Sequence, residues 1–187
     1  MAKTTAQLHW DYFLLLEKDL VSIAETVELS QRNYSTFGPR ILQLILNAGS
    51  ELDVALKSLA GVISPDCSAA SNKQPTMRDY KSFIANSMLD RFSTARVRYL
   101  HSEIVMTPWA DLAKDPDAAL EWWTAYNNVK HQRAKCYECA TLEVALEVTA
   151  ALFVADLYIA EASSQFVFGS TQIVDWEFHI RYVDASV

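Results

Sequence analysis

The sequence predicts a mainly α fold, a helical bundle with a small antiparallel β-sheet beside it. Three observations predict it. The chain of 187 residues is 51% hydrophobic with only 4 Gly, a composition that suits ordered helices packed on a real core. Apolar residues recur at helical spacing over several long stretches free of Pro. Near the C-terminus the period changes: Val174, Trp176, Phe178, Ile180 and Tyr182 alternate with Asp175, Glu177, His179 and Arg181. That alternation is the mark of a strand with one buried face.

The elements follow in order. Residues 4–30 read as a long helix, with Leu8, Tyr12, Leu15, Ile23 and Val27 near helical spacing. Gly38-Pro39 breaks the chain and opens a second helix to about Val62, with Pro39 suited to its first turn. Its core stripe is Ile41, Leu44, Ile45, Ala48, Leu52, Ala55, Leu56 and Leu59. Ser64-Pro65 through Gln74-Pro75 is a polar loop. Thr76, with Asp79 three residues on, is the N-cap of a helix to about Leu89. Residues 95–106 carry β-formers (Val97, Tyr99, Ile104, Met106) and are the natural partner of the 173–183 strand, because a lone strand leaves its ladder groups unpaired. Pro108-Trp109 closes that section, and Asp115-Pro116-Asp117 introduces the next helix. A last helix over about Thr141–Ala162 is apolar on most sides and so belongs at the centre of the bundle. The whole chain reads as one domain, 1–187, with a C-terminal β extension.

Composition also excludes. No apolar run reaches the roughly 18 residues of a membrane span, and Gln7, His9 and Asp11 interrupt what a secretory signal would need. The expectation is a soluble, cytoplasmic protein without membrane contact. Cys67, Cys136 and Cys139 fit a reducing compartment. Cys136 and Cys139 form a C-x-x-C spacing, but neither a fourth metal ligand nor a redox-type βαβ context accompanies it, so no metal and no cofactor is expected. The formal net charge is -7. Residues 91–101 and 122–135 hold six of the 16 Lys and Arg and no acid, which leaves -13 for the rest of the chain. An acidic chain with so confined a basic zone is a poor nonspecific nucleic-acid binder, although it can hold a short anion in one place.

The second basic zone coincides with the densest run of chemically versatile side chains: Trp122, Trp123, Tyr126, Asn127, Lys130, His131 and Arg133. Laid out on a helix, Trp122, Trp123, Tyr126 and Val129 form an apolar arc, Lys130 and Arg133 fall inside it, and Asn127 and His131 pair one turn apart on its flank. Cations on an apolar arc need anionic or aromatic company. On the second helix, Asn47 and Glu51 sit one turn apart at the edge of the core stripe, and a partly buried Glu needs a cation or donors. The economical expectation is that Glu51 meets Lys130 or His131 between two packed helices. That contact is either a structural ion pair or a site. In a site, Glu51 would hold His131 in one tautomer for proton transfer, Lys130 and Arg133 would grip a phosphate, and a tryptophan would offer a stacking face.

The run W-W-x-x-Y-N-x-x-K-H-x-R, with the earlier helix Gly49-Ser50-Glu51-Leu52-Asp53-Val54-Ala55-Leu56-Lys57, the preceding Pro108-Trp109 and the following apolar helix, resembles the HEPN superfamily of prokaryotic helical-bundle proteins over roughly residues 40–165. The resemblance implies a bundle of four to five helices. It implies a homodimer in which two motif copies form a composite cleft, and, in active members, metal-independent RNA cleavage in toxin–antitoxin and other defence systems. Asn127 and His131 match the family's polar residue and histidine; the Arg expected before Asn127 is replaced by Tyr126. An Arg there would neutralise phosphate in the transition state. Two function classes follow from the resemblance. One is a noncatalytic dimeric module that binds RNA, a nucleotide or a protein such as an antitoxin, and the missing Arg favours it. The other is an endoribonuclease with His131 as general acid or base, Lys130 and Arg133 on phosphate, Asn127 and Glu51 orienting the histidine, and Asn47, Tyr126 and Trp123 in support. A third class is an unrelated all-α interaction subunit.

Overall fold

The computed structural model describes residues 2–164, 171 and 174–176. Its helices are α1 (Thr5–Ala24), α2 (Pro39–Ile63), α3 (Ser68–Ser71), α4 (Met77–Ser87), α5 (Leu89–Ser93), α6 (Glu121–Cys136) and α7 (Leu142–Ala162). Its strands are β1 (Val97–Tyr99), β2 (Val105–Met106) and β3 (Val174–Trp176). The expected class, a helical bundle with a small antiparallel sheet, is what the structure has.

The centre of the bundle is α7 packed on α2, the largest interface between elements, with α1 against both. α7 is the innermost rod, with 15 of its 21 residues buried. No helix among the described residues is long and apolar enough to cross a membrane.

α1 departs from expectation in two ways. It ends at Ala24 rather than near residue 30, and a 3-10 turn follows at Gln31–Asn33. It also turns a different face inward. The buried stripe is Ala6, His9, Trp10, Phe13, Leu16, Glu17, Leu20 and Ile23, whereas Leu8, Tyr12 and Leu15 are exposed. α1 has two apolar stripes, and the one holding Trp10 and Phe13 removes more aromatic surface from water, stacking them on Phe153 of α7 at 5.9 and 5.1 Å between ring centroids.

The sheet has the order β2-β1-β3, all antiparallel, with Val97 opposite Met106 and Trp176, and Tyr99 opposite Val174. Residues 95–106 are therefore a hairpin and not a single strand. Its turn uses His101 at a positive φ of 61°. The Tyr99 hydroxyl donates to the Leu146 carbonyl at 2.6 Å and ties the sheet to α7. The expected continuation of the C-terminal strand through 177–183 lies outside the described residues.

The segment before α6 is fixed by an aromatic chain. Tyr158, Phe92, Trp109, Trp122, Trp123 and Tyr126 follow one another with centroid spacings of 5.1, 5.1, 5.1, 6.0 and 4.9 Å. The Trp122 indole donates to the Pro108 carbonyl at 2.8 Å. At the end of the chain of rings, Tyr126 lies on Gly49 of α2. A Cβ at Gly49 would stand 2.5 Å from the ring, so only glycine permits this approach of α6 to α2.

Candidate functional site

The α6 side chains singled out by the sequence are mostly on the surface. Lys130, His131 and Arg133 are exposed, and Asn127 and Trp123 are half-buried. The Lys130 ammonium donates to the Tyr126 hydroxyl at 3.0 Å and lies 5.2 Å from that ring's centroid, so it has the aromatic company its position requires. The Asn127 amide donates to the Trp123 carbonyl at 3.0 Å, closing on its own helix and not on His131. Gln132 leaves helical geometry, at φ -133° and ψ 36°. That kink lies between His131 and Arg133 and swings the basic end of α6 away from the arc an unbroken helix would follow. Cys136 closes α6, and Cys139 lies in the 3-10 turn that follows; both thiols are free.

Glu51 does not meet Lys130 or His131. Its carboxylate accepts from His9 Nδ1 on α1 at 2.6 Å. The reason is angular. α6 touches α2 at Gly49, two residues and roughly 200° around the helix from Glu51. Glu51 therefore faces α1, on the far side of α2. Asn47, one turn before it, is half-buried. The proposed partnership of positions 51 and 131 is replaced by one between positions 51 and 9.

That second location is more highly organised. The other ring nitrogen of His9, Nε2, bonds the Ser58 hydroxyl at 3.0 Å. Glu51 and Ser58 are seven residues apart, two turns of α2, and so project from one face with His9 between them. The side chain of His9 is 7% exposed and that of Glu51 15%, while Ser58 is partly exposed. Behind them lies Asp156 of α7, 2% exposed, with neither oxygen hydrogen-bonded. Burial, then the nearby charge of Glu51, holds the Asp156 carboxyl well above the usual carboxylate range. Sequence reasoning missed His9. The available signal was a histidine at helical spacing with Phe13, Leu16 and Leu20, a stripe hidden by the competing Leu8, Tyr12 and Leu15 row.

A third feature lies beside the start of α6. A cleft of about 370 Å3 is lined by Thr107, Pro108, Asp111, Trp122, Glu143 and Glu147, among others. Burial, then the charges of Glu143 and Asp111, raises the Glu147 pKa to about 7. Among the described residues no group of three or more His, Cys, Asp or Glu is placed to hold a metal ion.

Comparison with protein-family models, with curated proteins and with solved structures finds no match.

Proposed function

We propose that this chain is a noncatalytic, HEPN-like helical module that binds an RNA or nucleotide phosphate through the exposed second half of α6. One observation carries this reading. Lys130, His131, Arg133 and Lys135 are all exposed, and among the described residues none of them pairs with a carboxylate. Three surface cations elsewhere are neutralised, Lys3 by Asp11, Arg91 by Glu161 and Lys114 by Asp111, and what sets α6 apart is the clustering of four basic side chains within residues 130–135. Unpaired cations on an acidic chain concentrate anion affinity at one place. Cleavage at α6 lacks its supports. Among the described residues His131 has no carboxylate to orient it, Asn127 is committed to the Trp123 carbonyl, and Tyr126 stands where the family's Arg is expected.

The test is fluorescence polarisation with a short labelled single-stranded RNA over a salt series. Arg133→Ala with Lys135→Ala should weaken binding about tenfold or more near 100 mM salt and flatten the slope of log affinity against log salt by roughly 1 to 2. Incubated RNA should stay intact with wild type and His131→Ala alike. Cleavage lost in His131→Ala would replace this reading with the nuclease; binding indifferent to both substitutions would remove it.

A further inference from the structure

We propose that Ser58 is an activated nucleophile, with His9 as its general base and Glu51 positioning that base, and that it accepts acyl groups from activated esters with a short apolar acyl chain. This site lies on the seam between α1 and α2, away from α6, and stands or falls independently of anion binding there.

The geometry has the three members such chemistry requires: a hydroxyl within hydrogen-bond reach of an imidazole, and that imidazole oriented by a carboxylate. Glu51 accepts at 2.6 Å from His9 Nδ1, which assigns the ring hydrogen to Nδ1. Nε2 then presents its lone pair to the Ser58 O–H at 3.0 Å. An interhelical clamp needs only the first of these bonds. The second commits the free nitrogen of a buried base to the hydroxyl of a partly exposed serine.

The surface around Ser58 suggests what it would take. Val54 and Val62 lie one turn before and one turn after Ser58 on the same ridge of α2 and are 52% and 46% exposed. Leu8, adjacent to His9 on α1, is 56% exposed. The hydroxyl thus sits in the middle of an apolar strip with no charged side chain on its own ridge, a surface for an aliphatic acyl group.

In the reaction, Ser58 Oγ bonds to the ester carbonyl carbon as its proton passes to His9 Nε2. The carbon–oxygen bond to the leaving group breaks, and that oxygen takes the proton from His9. Water then attacks the acyl-serine by the same route, giving the acid and free Ser58. Glu51 stabilises the imidazolium formed in each half. Ser58 lies inside α2, where backbone N–H groups are engaged within the helix, so they do not stabilise a carbonyl oxyanion. That limits the substrate to esters with good leaving groups and makes the acyl-serine the species to detect.

The test uses the full chain with an alkyl fluorophosphonate, which forms an Oγ–P bond with loss of fluoride and the serine proton. The label is located by peptide mass spectrometry. Ser50, exposed on the same helix, is the internal control. Ser58 should react at least ~10-fold faster than Ser50. Glu51→Gln, which keeps a hydrogen-bond acceptor for His9, should slow labelling ~10-fold or more, and Glu51→Asp should recover part of the loss. p-Nitrophenyl butyrate should give a nitrophenol burst of up to one equivalent that Ser58→Ala abolishes. Labelling of Ser58 no faster than Ser50 in the wild type overturns the proposal whatever the variants do. So does a rate unchanged by Glu51→Gln in protein that circular dichroism shows to be folded.

Discussion

The second half of α6 and the seam between α1 and α2 make opposite impressions. α6 carries the conspicuous sequence, with two tryptophans, a tyrosine, two asparagines and four basic side chains within 14 residues. Folded, its polar groups diverge: Lys130 turns to Tyr126, Asn127 to its own backbone, and His131 to solvent. The seam has no motif at all. His9 and Ser58 are unremarkable in sequence, and Glu51 stands out only as a carboxylate at the edge of a core stripe, yet Glu51 and Ser58 converge on the His9 imidazole within 3.0 Å. Acid–base chemistry depends on convergence, so local density of suitable residue types is a poor guide to it. Binding of a flexible anion needs only unpaired charge at the surface, and α6 is suited to that.

The contrast can be broken most directly by deletion on each side. His9→Ala should lower stability by about 3 kcal/mol in urea denaturation, because it leaves the Glu51 carboxylate without its donor in a mostly buried position and opens a gap between α1 and α2. His131→Ala, at an exposed position without a side-chain partner among the described residues, should change stability by less than ~0.5 kcal/mol. Equal effects would erase the distinction.

The second test is by pH. Glu147, in the cleft beside α6, has a folded pKa of about 7, above its ordinary value. A carboxyl raised on folding stays protonated in the native state while the unfolded chain ionises. Its contribution to stability is therefore lost as pH rises from about 4.5 to 7, by up to ~3 kcal/mol. The melting temperature should fall across that window, and Glu147→Gln should flatten the fall. Asp156 contributes in the same direction, so the comparison with wild type isolates the part due to Glu147. A fall of the same size in Glu147→Gln would place the dependence elsewhere.

A smaller effect sharpens where α6 attaches. Gly49→Ala should destabilise by ~1–3 kcal/mol through its clash with Tyr126, since the ring must move or the helices separate. Tyr126→Ala together with Gly49→Ala should recover much of the packing penalty at that contact in a double-mutant cycle.

Much of the architecture was legible in the chain. Pro39 opens α2, and Thr76 with Asp79 caps α4, because caps and helix-starting prolines act through neighbouring residues alone. The pairing of the 95–106 segment with the strand at 174 was legible too, because strands must find ladder partners. Less was legible in the site. The Glu51 partner was misread because helical spacing tells which residues share a face of one helix, not which neighbour that face meets. The kink at Gln132 left no mark in composition. α1 offered two apolar stripes, and local periodicity could not choose between them.

By itself, then, the amino-acid order determined the long helices, the starts of α1, α2, α4 and α7, that α7 lies innermost, and that a strand near the C-terminus seeks a partner. These follow from short-range hydrogen bonding and from how much apolar surface each segment must hide. It did not show the short α3 inside the expected 64–75 loop, nor that α6 begins at Glu121 and not at 115–117. Only the packed structure decided that α1 buries Trp10 and Phe13 in place of Leu8 and Tyr12, and that α6 approaches α2 at Gly49. It also decided that Glu51, turned roughly 200° away from Gly49, would be met by His9. Those outcomes depend on which surfaces fit together at close range, a property of pairs of helices that neither helix carries alone.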